Sequence, residues 1–542
     1  MIAEKKRRRR LLIILPLVFV GLFVYAAWPG KITHTVSPET THATEPVNAE
    51  GWVDYVTALN TRLRGDITPE QNANILFWQA IGPRPAGKTL PKEYFQWLGH
   101  PAPPEKGEYL VGWEDFLKAK PPAPVEDEAA RDDLIDPIDP TVRRDRAKKW
   151  PWAAANDPDT AAWVAKNTRP LATLAQASAL PAYYNPIVPG SSPPGNGLLM
   201  SSQFPNVQIY RESAILFVCR AMMHLGTGRP DEAWRDLMTC HRLGRVMERG
   251  GTLIEYLVGV AIQSIAIQGE TVFLSQTKLT IPQLTACRDD LGRLPPPSRV
   301  AEKIDLAERY YLLDAMQMAA RTGTTSIMDL PELGGSENPD RPRSRLFSRS
   351  VNWDPAFQLA NTWYDRCVAV LRQDDEPTRR REMAAIEQEL SAMKSDATTA
   401  WTTHLLGPKQ RGENIGKIIV GLVLPSLDKV SVADVRSRQL HHQLTVAFAL
   451  AAYKVDLGHY PARLAELAPK YLPEIPKDIF TNNELTYRRT TTGYLLYSVG
   501  ANHIDDQGRD RDSNPPGDDL PLEMPAKEPP PLEKPKPVDP PE

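Results

Sequence analysis

The first 28 residues constrain most strongly where this chain can fold. Residues 1–10 form a basic tail that holds Lys5, Lys6 and four consecutive arginines, and residues 11–28 follow as an uninterrupted apolar run. A run of this length is near the lower limit of about 17–25 residues for a membrane-spanning helix. Because basic residues precede the run and few follow it, we expect the N-terminus in the cytoplasm and the rest of the chain outside.

A cleaved signal peptide is the alternative interpretation of the same segment. Its apolar core would be unusually long, and Trp28 and Pro29 flank the small residues Ala26 and Ala27, which makes a poor cleavage site. We therefore predict a retained transmembrane helix at 11–28. It places the chain in a bacterial cytoplasmic (inner) membrane as a single-pass protein, with the bulk of the chain extracytoplasmic and the membrane itself as a partner.

Composition indicates a large, irregular extracytoplasmic part. The chain has 542 residues, enough for two or more domains, and a net charge of -3, which does not indicate a nucleic-acid partner. It holds 52 prolines, nearly double the usual ~5%, so we expect many breaks and long connections. The predicted divisions are a linker at 29–50, a helical body at 51–410 with a Pro- and acid-rich excursion at 101–150 and a loop at 323–353, a C-terminal module at 411–520, and a disordered Pro-rich tail at 521–542.

Helix-start signals recur along the body and predict a mainly α, irregular multi-helix fold. Thr252 and Glu255 have the spacing of a capping box, in which two side chains satisfy N–H groups of the first helical turn. The helix that follows, over 253–274, is apolar nearly all round, so we predict that it lies in the core. Its polar residues, among them Gln263 and Glu270, argue against a second membrane span.

The C-terminal module is predicted to be α+β. Ser431 and Asp434 have capping-box spacing at the start of a long helix with one apolar face, and Gly458 stands where a left-handed C-cap is expected. Residues 485–489 and 494–499 then read as two strands of a small antiparallel hairpin. The module is therefore expected to combine one long helix with a hairpin.

An ordered string of residues in this module is similar to a known family. The string consists of Tyr453, Gly458-His459-Tyr460-Pro461, Pro469-Lys470-Tyr471-Leu472, Pro476-Lys477-Asp478, Tyr487, Gly493-Tyr494, Tyr497-Ser498-Val499-Gly500 and Asp518-Asp519. Over about residues 431–519, the last fifth of the chain, it resembles the globular head of type II secretion major pseudopilins. The pilin cleavage site is not found at the N-terminus, so we expect neither processing nor polymerisation as a pilin. No family is recognised for the helical body.

The resemblance implies a metal site in the loop that follows Tyr-Ser-x-Gly, where the family holds a structural calcium ion. By position, the candidate ligands are Asn502, Asp505, Asp506, Asp518 and Asp519. Asn502 stands where the family usually has an acid. Oxygen ligands in a flexible loop suit calcium, which takes about six to eight of them. The alternative is a solvated acidic loop without an ion.

Residues 82–89, Gly-Pro-Arg-Pro-Ala-Gly-Lys-Thr, match the pattern of a phosphate-binding loop. That loop binds phosphate by directing consecutive backbone N–H groups at it, and Pro83 and Pro85 each remove one of these donors. The pattern should also follow a strand, whereas here it follows a predicted helix. We therefore expect no nucleotide partner.

Two of the four cysteines are candidates for a disulfide. Cys219 and Cys240 lie almost equidistant from the predicted turn at 226–229, and a disulfide would persist outside the cytoplasm. The alternative is a pair of buried thiols. The spacing of these cysteines from nearby histidines fits no common zinc site.

The sequence contains no motif of a metalloprotease, a serine hydrolase or a dinucleotide enzyme. Glu232, Glu255 and His241 are the body residues that would supply acid–base chemistry if they converged. The leading hypothesis is a non-enzymatic structural or interaction protein of a bacterial envelope, linked to assembly or secretion, with an unidentified envelope protein as partner. An envelope-polymer hydrolase with a site in the helical body and a helical-repeat peptide-binding protein are the alternatives.

Overall fold

The structure is a computed structural model, and it describes most of the chain. The described residues are 32–120, 139–189, 198–202, 204, 207–322, 351–399, 407–424 and 427–532. The predicted transmembrane helix at 11–28 lies outside them, as do residues 121–138 of the predicted excursion and residues 323–350 of the predicted loop.

The described chain is mainly α-helical, with a small antiparallel sheet near its C-terminus. The helices of the first part are α1 (Tyr55–Arg64), α2 (Ala73–Ile81), α3 (Lys92–Leu98), α4 (Trp113–Ala119), α5 (Pro140–Ala147), α6 (Pro158–Lys166) and α7 (Thr168–Ser178). The central helices are α8 (Val207–Gly226), α9 (Pro230–Glu248), α10 (Leu253–Gln276) and α11 (Ile281–Gly292). The later helices are α12 (Val300–Lys303), α13 (Arg309–Thr322), α14 (Asp354–Leu371), α15 (Glu376–Thr399), α16 (Pro408–Val423) and α17 (Leu427–Leu457). The strands are β1 (Ile32–Thr33), β2 (Val351–Asn352), β3 (Thr486–Arg489), β4 (Tyr494–Ser498) and β5 (Leu520–Met524).

Helices α8, α9 and α10 form the centre of the fold. Helix α10 begins at the predicted capping box, where Thr252 and Glu255 each accept a hydrogen bond from the other's backbone N–H. Helices α9 and α10 cross closely, because a Cβ atom on Gly259 would lie 2.6 Å from the Gly244 carbonyl oxygen. Among the described residues, α10 is the helix that is long and apolar enough to span a membrane by length and composition. In this structure it packs against α8, α9 and α17, which confirms that it is a core helix.

The described part of the predicted linker, from residue 32 onward, packs on the helical body. Strand β1 pairs in parallel with β2. Thr40 and Thr41 are buried, and Asn361 of α14 donates a hydrogen bond to the Thr40 carbonyl oxygen at 2.7 Å. The prediction of a free linker over 29–50 is therefore wrong for these described residues, because their backbone groups find partners on the later helices.

Helix α17 begins at Leu427, before the predicted cap at Ser431. Ser431 and Asp434 therefore lie inside the helix, where the backbone N–H groups already have partners, and neither acts as a cap. The end of the helix is as predicted: Gly458 has φ +80°, and its N–H donates to the Lys454 carbonyl oxygen.

A three-stranded antiparallel sheet, in the order β3–β4–β5, follows α17. The hairpin β3–β4 is confirmed, with Thr486 opposite Tyr497. The prediction of disorder from residue 521 onward is wrong for β5, which pairs with β4. The prediction missed an alternation of apolar residues that places three side chains in the core: Leu520, Leu522 and Met524. Residues 533–542 of the predicted tail lie outside the described part.

The helical body and the C-terminal module share one hydrophobic core. Buried side chains of α17 and of the sheet, such as Phe448 and Leu496, belong to the same cluster as Phe273 of α10. Trp234 of α9 packs edge-to-face on Phe448, with ring centroids 5.6 Å apart. The module is therefore packed into the body along the length of α17.

Candidate functional site

The long helix α17 contacts α10 through a buried polar pair. Tyr256 of α10 is fully buried, and its hydroxyl donates to Asp434 Oδ1 at 2.5 Å. The other oxygen of this carboxylate pairs with Arg438 Nη2 at 2.9 Å, one turn further along α17. Burial, together with the charge of Asp434, raises the pKa of Tyr256 well above its usual range. Tyr256 is therefore a fixed hydrogen-bond donor at any physiological pH.

A buried histidine lies between α9 and α10. The Nδ1 atom of His241 is 2.5 Å from Gln263 Oε1, and its Nε2 atom is 2.7 Å from Glu270 Oε2. The Gln263 amide nitrogen donates to Glu248 Oε1 at 3.2 Å, which fixes the orientation of the amide. Both ring nitrogens of His241 thus face oxygen acceptors, an arrangement that the doubly protonated imidazolium satisfies.

His441 of α17 packs against His241 of α9. The two imidazole rings are arranged edge-to-face, with centroids 6.0 Å apart. Burial, followed by the positive charges of His241 and Arg245, lowers the pKa of His441 to about 3. His441 is therefore neutral. We call the polar side chains at this interface the junction cluster: His241, Arg245, Glu248, Tyr256, Gln263, Glu270, Asp434, Arg438 and His441.

The junction cluster encloses very little free space. A cavity of about 10 Å³ is lined by Arg245, Glu248, Gln263, Asp434, Arg438 and His441. A volume of this size is at the lower limit for one water molecule. The charged groups instead bind one another, as in the 3.1 Å pair between Arg245 and Glu248. This arrangement is suited to holding α17 on the body.

The three residues proposed for acid–base chemistry do not converge. His241 contacts the amide and carboxylate described above. Glu255 accepts a hydrogen bond from Asn185 at 2.7 Å, and burial raises its pKa. Glu232 lies at the start of α9, where its carboxylate is 3.8 Å from Arg235 and partly exposed. Each acid therefore has a separate environment.

In the acidic loop, Asp518 is saturated with donors. Its Oδ2 atom accepts from the N–H groups of Ala501 at 2.9 Å and Asn502 at 3.2 Å. Its Oδ1 atom accepts from Arg436 of α17 at 2.7 Å and from Arg511 at 3.1 Å. Burial alone would raise the pKa of Asp518, but these donors hold it below its usual range. Guanidinium groups therefore neutralise this carboxylate.

The other predicted ligands have fewer donors. Asn502 donates to Asp506 Oδ2 at 3.2 Å. Asp519 is fully buried; its Oδ2 atom accepts from the Gly508 N–H at 2.7 Å, and its Oδ1 atom has no hydrogen-bond partner within the described part of the chain. Burial first, and then the charges of Asp506 and Asp505, raise the pKa of Asp519.

The donor set of the loop fits calcium in its chemistry, because carboxylate oxygens are the ligands that calcium prefers. The buried Oδ1 atom of Asp519 is an acceptor that a cation would satisfy. In the described ranges, however, no three His, Cys, Asp or Glu side chains are grouped to hold a metal ion. Asp505, Asp506 and Asp519 would have to move closer together to bind one.

Cys219 and Cys240 are free, buried thiols in this structure, which is the alternative to the candidate disulfide. The Cys219 sulfur is 3.9 Å from the Arg144 carbonyl oxygen, and the Cys240 sulfur is 3.8 Å from the Ile262 carbonyl oxygen. The two thiols therefore face different segments, because equal distance from a turn does not fix the rotation of each helix about its axis. Burial raises the pKa of Cys219 to about 12, which keeps that thiol protonated.

Sequence reasoning missed the junction cluster. Its one visible signal was the presence of Gln263 and Glu270 in an otherwise apolar helix. Their partners lie on α9, and the contact with α17 links residues far apart in the chain, which periodicity does not reveal. Comparison of the chain with protein-family models, curated proteins and solved structures gives no match.

Proposed function

We propose that this chain is a membrane-anchored, extracytoplasmic scaffold of a bacterial envelope, linked to assembly or secretion, in which a pseudopilin-head-like module is built into a helical body. The observation that carries the proposal is the junction cluster. The Tyr256 hydroxyl of α10 binds Asp434 of α17, and His241 of α9 binds Glu270 of α10 and packs edge-to-face on His441 of α17. The cluster leaves a cavity of about 10 Å³. This supports rigid attachment of the module over turnover of a polymer in the body.

The short connection at the N-terminus supports a position of the helical body close to the membrane. Only residues 29–31 separate the predicted transmembrane helix from β1, and three extended residues span roughly 10 Å. Thr35 binds Asp354 of α14 through two hydrogen bonds, of 2.7 Å and 2.8 Å. A body fastened this close to its anchor presents its outer surface to other envelope proteins.

Calcium is the proposed structural ligand of the acidic loop. The support is the buried, unpartnered oxygen of Asp519, next to the charges of Asp505 and Asp506. Asp518 would remain with Arg436. When bound, the ion would relieve the repulsion among the three remaining carboxylates.

Two assays separate the scaffold from a hydrolase. Amine-reactive crosslinking of intact cells, followed by detergent purification of the full chain, is expected to give a defined covalent complex with an envelope protein. The purified chain is expected to release no soluble fragments from isolated envelope polymer above the level of a heat-unfolded control. Release of fragments above the level of that control would overturn the proposal in favour of the hydrolase. A chain that forms no covalent complex would overturn the scaffold function.

A further inference from the structure

The chain after β5 continues along the surface of the body without regular secondary structure. Residues 525–532 have no regular hydrogen-bonded structure, and their sequence is Pro-Ala-Lys-Glu-Pro-Pro-Pro-Leu. Ala526, Pro529 and Leu532 are half-buried, whereas the residues between them are exposed. A burial period of three is the period of a polyproline II helix, which has about three residues per turn and no internal hydrogen bonds. One face of the segment, formed by Ala526, Pro529 and Leu532, therefore lies on the body.

Arg146 of α5 holds this segment. One terminal nitrogen of its guanidinium donates to the carbonyl oxygens of Pro529 and Pro530, both at 2.6 Å, and the other pairs with the Glu528 carboxylate at 2.7 Å. Proline has a carbonyl but no N–H, so a donor such as arginine is the group that a polyproline backbone can bind. Arg146 thus binds an acidic residue and the two prolines that follow it.

Two tryptophans stand beside Arg146. Trp150 and Trp152 line a cavity of about 270 Å³ whose far side is formed by Glu528 and Leu532. Trp152 is held in place from behind: its indole nitrogen donates to the Cys219 carbonyl oxygen at 3.1 Å. A Cβ atom on Gly226 would lie 2.1 Å from the Trp152 carbonyl oxygen, so only glycine at the end of α8 allows this approach. Helix α8 of the core therefore fixes the position of Trp152 in this cavity.

The tail fills only part of this surface. The open volume lies between the segment and the tryptophans, and most residues of the segment remain exposed. Within the described part of the chain, a hydrogen bond from the Ala526 N–H to Ser275 Oγ at 3.0 Å also fastens the segment to the helical body. A contact of this kind is displaceable by a longer or better-fitting segment of the same chemistry.

We propose that the surface formed by Arg146, Trp150 and Trp152 is a binding site for an acidic, proline-rich segment of a partner protein, and that the chain's own tail occupies the site until that partner displaces it. Aromatic walls with a polar donor are the general means by which proteins bind polyproline II segments. The inference rests on the proposed scaffold function, to which it adds the chemical class of the partner.

The test uses the capped, fluorescently labelled peptide of residues 525–532 and the chain shortened to end at Met524, which retains β5. Fluorescence anisotropy is expected to show binding to the shortened chain and at least tenfold weaker binding to the full chain, because a tethered tail competes at high effective concentration. The variant Arg146→Ala in the shortened chain is expected to lose tenfold or more in affinity, since hydrogen bonds to a charged donor are lost.

Two controls make the result specific. Arg169→Ala removes an exposed arginine elsewhere on the body and is expected to leave the affinity unchanged. A peptide with alanine at residues 529–531 is expected to bind at least tenfold more weakly. The proposal is overturned if the folded shortened chain does not bind the peptide at millimolar concentration, if Arg146→Ala binds equally well, or if the full chain binds as tightly as the shortened one. None of these outcomes affects the crosslinking assay, so failure of this site is distinguishable from failure of the scaffold function.

Discussion

Tyr256 and Asp434 are separated by 178 residues in the sequence and by 2.5 Å in the structure, hydroxyl oxygen to carboxylate oxygen. The first lies on the core helix α10 and the second on the long helix α17. This hydrogen bond therefore joins the helical body to the C-terminal module. It adds a polar contact to the hydrophobic packing by which the C-terminal module and the body share one core.

Removing the Tyr256 hydroxyl is expected to destabilise the chain. In Tyr256→Phe, the buried Asp434 loses one donor, and a hydrogen bond to a charged group contributes about 1.5–3 kcal/mol. Thermal unfolding of the full chain should show a lower midpoint. The matched control is Tyr311→Phe, because the Tyr311 hydroxyl is buried without a partner among the described residues. We expect that substitution to be neutral or stabilising; equal losses in both variants would contradict the role assigned to the pair.

The stability of the junction is expected to fall in acid because of His441. Its pKa is about 3 in the folded chain and about 6.5 when unfolded, so between these values only the unfolded chain binds the proton. The free energy of unfolding should therefore decrease as pH falls from about 6.5 to 3, by about 1.4 kcal/mol per pH unit from this group. Denaturant titrations across that range should show a shallower decrease in His441→Gln. The exposed His459→Gln variant should retain the decrease of the parent chain.

Asp314 is expected to give the opposite dependence. Burial raises its pKa from 3.8 to about 7, although its carboxylate accepts from the Leu199 N–H at 2.7 Å. Between these values the folded chain holds a proton that the unfolded chain has released, so this group makes stability fall as pH rises from about 4 to 7. Asp314→Asn should remove that loss. If the variant is no more stable relative to the parent at pH 8 than at pH 5, the carboxyl group is not buried in protonated form.

Local signals in the sequence were sufficient for several elements. The capping box at Thr252 and Glu255, the stop at Gly458 and the hairpin β3–β4 are each determined by neighbouring residues, and each is confirmed. Strand β5 was missed although Leu520, Leu522 and Met524 alternate, because prolines and charges around them outweighed the pattern.

The junction cluster was beyond local reasoning for a different reason. The pairing of His241 with Glu270 depends on how α9 and α10 are rotated against each other, and the pairing of Tyr256 with Asp434 depends on a contact across 178 residues. Neither the rotation of a helix nor a contact between distant residues can be predicted from the periodicity of the sequence. The same limit left the candidate disulfide open: the sequence predicted the positions of Cys219 and Cys240 in two helices, but not the directions of their side chains.

Calcium is expected to stabilise the full chain. An ion present at 100 times its dissociation constant adds about 2.7 kcal/mol, so the thermal midpoint should be higher with calcium than with chelator. Asp519→Asn should erase the difference, because it removes the buried oxygen that has no other partner. Asp510→Asn, in the same loop but bound to Ser513, should retain it. If the parent chain has the same midpoint in calcium and in chelator, the loop binds no calcium and is a solvated acidic loop.

The central claim, an anchored chain whose folded part lies outside the cytoplasm, is tested most directly by cysteine labelling. All four native cysteines are buried, and Ile504 is 60% exposed, so Ile504→Cys offers a single accessible thiol among the described residues. We predict that a membrane-impermeant maleimide labels this variant in cells with a permeabilised outer membrane, and that the chain resists extraction from membranes at alkaline pH. A cysteine in the basic tail, Glu4→Cys, should be labelled only after lysis. Labelling of Ile504→Cys only after lysis would contradict the proposed location and, with it, the scaffold function.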